Sequence, residues 1–139
     1  MFLSGVGIPI LAAMNSVLGR ELDHPVAATV VVFLVGLAAS LILLAFVGGP
    51  PPLSRFTAVA PQYYLGAVFM VFYALAVTVF APRIGVGNAV FFVLLGQLVA
   101  AAAIDHFGLL HAAKFALTPR RAIGIVVMAL GVWLAKRTV

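Results

Sequence analysis

Residues 25–47 read PVAATVVVFLVGLAASLILLAFV, a run without one charged side chain that Gly48-Gly49-Pro50-Pro51-Pro52 cuts off. About 20 apolar residues, each rising about 1.5 Å along a helix, cross the hydrocarbon core of a bilayer, so this stretch predicts a transmembrane helix. Pro25 suits its first turn, where a missing N–H costs nothing, with Asp23 or His24 as the cap. The same reading carried outward gives spans at about 2–19, 62–81, 88–107 and 119–135.

Composition agrees with that reading. The chain has 139 residues, of which 65% are hydrophobic and only 8% charged, whereas a globular domain carries about 25% charged residues. The expected fold is therefore an all-α integral membrane protein, residues 1–139 forming a single membrane domain with five transmembrane helices. There is no Cys, so neither a disulfide framework nor a thiolate metal site can be built. The net charge of +5 is spread along span ends, which points to lipid headgroups and not to nucleic acid. The first run could be taken for a signal peptide, but no basic segment precedes it and no small-x-small site closes it.

The connections are short. Residues 53–60 are too few to cross and carry Arg55, which predicts an interfacial segment before Pro61 opens the third span. Pro82-Arg83 closes that span, and Gly85 and Gly87 form a tight link to Asn88, read as the cap of the fourth. Gly108 is the expected stop of the fourth helix, and Thr118 with Pro119 the start of the fifth.

With five spans the termini lie on opposite sides, and the eight basic residues divide evenly. Arg55, Lys114, Arg120 and Arg121 fall on the N-terminal side; Arg20, Arg83, Lys136 and Arg137 fall on the other. Orientation follows an excess of Lys and Arg in cytoplasmic loops, so an even division predicts insertion both ways and pairing with an inverted copy. Gly124, Met128, Gly131 and Ala135 share one face of the last helix, a small-residue stripe expected either at the dimer interface or in packing within the protomer. Thr29, Phe33, Gly36 and Ser40 share a face of the second helix, which leaves packing and a pathway lining both open.

Polar residues inside spans are costly and mark candidate sites. On the first helix Ser4, Ile8 and Asn15 align, and Pro9 with Gly5 and Gly7 is expected to break the backbone ladder just before Asn15, giving a kinked helix whose freed carbonyls can line a cavity. Tyr73 and Gln97 lie near the centres of the third and fourth helices. Asn15, Tyr73 and Gln97 are the expected polar contacts to a small-molecule substrate, with Phe33 as an apolar wall. Asp105 and His106 close the fourth helix on the same side as Arg120 and Arg121, which predicts a structural ion pair or a proton relay. No carboxylate lies deep in a span, and no catalytic triad, metal-ligand cluster or phosphate loop is present, so neither an enzyme nor a cofactor is expected.

Asn15 before a short charged loop, Phe33 and Gly36, Ala81-Pro82-Arg83-Ile84-Gly85, Gly96-Gln97, Ile104-Asp105-His106-Phe107-Gly108, and Arg121 before Gly124 and Gly131 together resemble the YdcZ-type family. This is a five-helix group of the drug/metabolite transporter superfamily, and the resemblance covers nearly the whole chain. It implies a half-size secondary transporter acting by alternating access as an antiparallel, dual-topology dimer with a ten-helix core and inverted-repeat symmetry. The partner is the same chain inverted, or an inverted paralogue. The expected location is a bacterial-type inner (cytoplasmic) membrane, crossed several times. Small multidrug exporters of that superfamily carry an essential Glu in the first helix where this chain has Asn15, so a neutral, zwitterionic or anionic solute is expected before a cationic one. A dual-topology dimeric ion channel and a non-transporting accessory subunit are the alternatives.

Overall fold

The computed structural model describes residues 2–111 and 113–135. Its elements are α1 (Phe2–Glu21), α2 (Pro25–Phe46), α3 (Leu53–Ala58), a 3-10 turn (Pro61–Leu65), α4 (Gly66–Ile84), α5 (Val86–Phe107), a short turn (Leu109–His111) and α6 (Pro119–Ala135). No strand is found among the described residues. Among the described residues four helical segments are long and apolar enough to cross a membrane: Phe2–Glu21, Pro25–Phe46, Pro61–Ile84 and Val86–Phe107. α6 has 17 residues. Lys136 and Arg137, which the sequence reading places after it, lie outside the described residues.

Local chemistry sets most of the boundaries. The Ala27 N–H donates to His24 Nδ1 at 3.1 Å, so His24 caps α2 and Pro25 takes the first helical position. Gly48 and Gly49 adopt φ of 111° and 82° just past the end of α2, a region closed to most side chains. Gly108 ends α5 in the left-handed conformation, φ 64° and ψ 36°, its N–H donating to the Ile104 carbonyl. At α6 the Arg121 N–H donates to Thr118 Oγ1 at 3.3 Å, with Pro119 first in the helix.

Three boundaries differ from the sequence expectation. α5 starts at Val86 after Gly85, whose φ of 86° makes the break alone. Asn88 is therefore not a cap; it lies inside the first turn and donates through Nδ2 to the Ile84 carbonyl at 2.8 Å. α4 runs through Pro82 to Ile84, because a proline near a helix end removes one ladder bond without forcing a stop. The third span enters through a 3-10 turn at Pro61 before α4 begins at Gly66, and Tyr64 Oη donates to the Phe56 carbonyl at 2.8 Å, tying that turn to α3. α1 likewise stays helical through Pro9.

The chain divides into two compact units, residues 1–83 and 84–139. In the first, α1 packs against α2 across the three-residue turn 22–24, and α4 joins them. In the second, α5 packs against α6. The buried apolar positions are Ala12, Ala28, Ala74, Val77, Ala81, Ala89 and Ala102, and among the described residues no large side chain is fully enclosed. Small residues at helix contacts and large ones outside suit a lipid solvent, which provides no hydrophobic drive between helices and leaves close approach to do the packing. Ser16, Thr29 and Thr78, all buried, each donate to the carbonyl four residues back, at 2.7, 3.0 and 2.7 Å. Their hydroxyls are thereby satisfied without water.

Gly19 approaches Thr78 closely: a Cβ at Gly19 would lie 2.6 Å from Thr78 Cγ2. Thr78 cannot turn away cheaply, since its Oγ1 is held by the Ala74 carbonyl. Gly19→Ala should destabilise the folded protein by about 1–3 kcal/mol, the usual cost of overpacking. Thr78→Ser removes Cγ2, keeps the hydroxyl and should restore most of the loss. Melting temperatures of the two single variants and the double variant in detergent check this; an additive double variant would refute the contact.

Candidate functional site

α1 and α2 diverge around a cleft of about 800 Å³. From α1 its lining includes Gly7, Met14 and Asn15; from α2 it includes Phe33, Gly36 and Ser40; Met70 of α4 contributes as well. A Cβ at Gly7 or Gly36 would meet no neighbouring atom within 4 Å. Ser40 donates to the Gly36 carbonyl at 2.8 Å, so its hydroxyl is already engaged. No residue lining the cleft is charged.

Asn15 is the polar centre of this unit. It is only 4% exposed, and its Nδ2 is buried without a hydrogen-bond partner among the described residues. An unsatisfied buried amide costs about 1–3 kcal/mol, and a group left in that state asks for an acceptor from outside the protomer. Phe33 is half-buried beside it and also lines a second, apolar cleft of about 340 Å³ between α2 and α4, where Thr29 and Leu75 take part. One aromatic ring therefore separates two spaces within the first unit.

The structure thus brings Asn15 and Phe33 together. Tyr73 is half-buried on α4, one turn beyond Met70, and does not line the cleft. Gln97 belongs to the second unit, exposed at the middle of α5. At about 100° per residue it points away from Ala102, Ala103 and His106, which face α6. Ser4 is exposed and Ile8 half-buried, so the face expected to run from Ser4 to Asn15 is buried only at its Asn15 end. Met14, Gly7 and Met70 were not foreseen as lining residues; the small-residue face Phe33, Gly36 and Ser40 was the signal that pointed toward this side of α2.

In the second unit Asp105 Oδ2 accepts from Arg121 Nη2 at 2.7 Å, both side chains about one-third exposed. An ion pair of that exposure contributes on the order of 1 kcal/mol or less. Arg120 is exposed. His106 Nδ1 accepts from the Leu117 N–H at 2.9 Å, and the Asp105 carbonyl accepts from the Phe115 N–H at 2.9 Å. These bonds pin the segment before α6 onto the end of α5, and the Phe107 ring stands edge-on to the His106 ring at 4.8 Å. With Nδ1 engaged as an acceptor, His106 carries its ring proton on Nε2 in the neutral form.

α6 meets α5 through Ala122 and Ile125, around a cleft of about 480 Å³. Gly124, Met128, Gly131 and Ala135 all remain exposed, and a Cβ at either glycine would meet nothing within 4 Å. Among the described residues no group of three or more His, Cys, Asp or Glu is placed to hold a metal ion.

The family model described as "Putative inner membrane exporter, YdcZ" matches residues 1–134. Neither the curated proteins nor the solved structures gave a match.

Proposed function

Because the chain belongs to the YdcZ inner membrane exporter family, we propose that it is a half-size secondary transporter of a small solute, working by alternating access as a dual-topology antiparallel dimer. α6 is the fifth span in this reading, and two inverted copies supply ten helices and the pseudo-symmetry by which carriers expose one site to either side. The observation that carries the reading is the buried Asn15 Nδ2, which has no hydrogen-bond partner among the described residues, on a side chain that lines the α1–α2 cleft. A polar group kept unsatisfied at membrane depth is costly to retain without a ligand. A lining without charged side chains offers no counter-ion to a solute of either sign, which favours a neutral one.

Gln97, exposed on the α5 face turned from α6, is the second polar contact in this reading. The test is flux of a panel of neutral, zwitterionic and anionic solutes in vesicles of the purified protein. Saturable, exchange-competent flux is expected for the wild type, and Asn15→Ala and Gln97→Ala should each lower it about tenfold, the value of one lost hydrogen bond to a desolvated group. Unchanged flux in both variants would remove these residues from the site. Passive, unsaturable flux would replace the carrier with a pore.

A further inference from the structure

We propose that the cleft between α1 and α2 takes an uncharged single-chain amphiphile, its head on the Asn15 carboxamide and its chain running along Gly7, Met14 and Gly36. The inference deepens the carrier reading and rests on it for what the bound molecule is for.

Three observations define the ligand. The cleft extends along α1 from Gly7 to Leu18, eleven helical rises or about 16 Å, so it is long. Asn15 lies three residues from the Leu18 end, which puts the polar group at one end and leaves only apolar surface, glycine and a self-bonded Ser40 toward the other. The Nδ2, without a partner among the described residues, requires an acceptor, so a head that carries an acceptor oxygen, such as an alcohol or a primary amide, complements it where a hydrocarbon does not. A charged head has no counter-ion among the lining residues, and an isolated charge in an apolar site is strongly disfavoured. Met14 and Met70 add walls that adapt to chain shape.

The experiment photolabels the full chain in lipid nanodiscs with decanamide carrying a diazirine in its tail, and maps the adducts by mass spectrometry. Adducts are expected on α1 and α2 around Met14 and Gly36, displaced by unlabelled decanamide about tenfold more readily than by decanoate or decyltrimethylammonium. Asn15→Leu should weaken displacement by decanamide about three- to tenfold while leaving displacement by undecane unchanged. Gly36→Leu, whose side chain enters open space, should abolish the adducts in a protein of normal melting temperature, which guards against a misfolded Asn15 variant. Equal labelling of wild type and Asn15→Leu, or a cation competing as well as the amide, would overturn the proposal. So would adducts spread evenly over the outward faces of α2, the signature of ordinary lipid, or adducts lost on crosslinking a second copy over the cleft. Binding is read without flux: labelling without transport refutes the carrier and keeps the site, and transport indifferent to decanamide does the reverse.

Discussion

A reporter active on only one side of the membrane, fused to the C-terminus, is expected to score on both sides in comparable amounts. Four basic residues lie on each side if α6 completes five spans, and the bias that decides orientation is a difference between such counts. With the difference at zero, one charge is a large perturbation. Ser54→Lys, in the exposed helix α3, should hold the N-terminal side in the cytoplasm and move the C-terminal reporter outside several-fold. Arg55→Gln should move it the opposite way. The Asp105–Arg121 pair does not alter the count, because acidic residues contribute little to orientation. A reporter found on one side only, and indifferent to both substitutions, would sink dual topology.

The second large effect is expected from Gly131→Leu. A leucine at this position projects into open space in the protomer, where no atom lies within 4 Å of a Cβ. The α5-facing side of α6, through Ala122 and Ile125, is untouched. The protomer should therefore keep its helicity and melting temperature while association of copies in the membrane weakens about tenfold or more, since a small-residue seam works only by letting backbones approach. Gly124→Leu should behave alike. Fluorescence transfer between labelled copies in vesicles measures it. Unchanged association would assign the stripe to lipid, and a destabilised protomer would assign it to packing within one chain.

What the sequence made legible was governed by local chemistry. His24 with Pro25, the Gly48-Gly49 break, Gly108 and Thr118 with Pro119 each act through bonds reaching five residues or fewer, so residue type and order were enough to place them. Asn88 misled because two residues near one break can both end a helix on paper. Gly85 needed only its own positive φ, which left the Asn88 amide to bond the Ile84 carbonyl. The site was legible in half. Asn15 and Phe33 sit on consecutive helices joined by a three-residue turn, which makes those helices neighbours. Depth alone placed Tyr73 and Gln97 with them, but depth does not give azimuth: Tyr73 lies off the cleft lining, and Gln97 belongs to the second unit. The Gly19–Thr78 approach was invisible for the same reason: it joins helices far apart in sequence.

The hydroxyls of Ser16, Thr29, Ser40 and Thr78 all turn back onto their own helix, which leaves the carboxamide of Asn15 to speak for the polar character of the cleft. Discrimination among ligands then has one directional element and a broad apolar background. Apolar walls separate neighbouring homologues by only about 10–200-fold per methylene, and less where a cleft is open. Such a protein would sort molecules by length and by presence of one hydrogen-bonding group, accepting many chemotypes of similar shape. Narrowing that spectrum would take a second unsatisfied polar side chain in the cleft, and Ser40→Asn, opposite the tail end, is where a single substitution would introduce one.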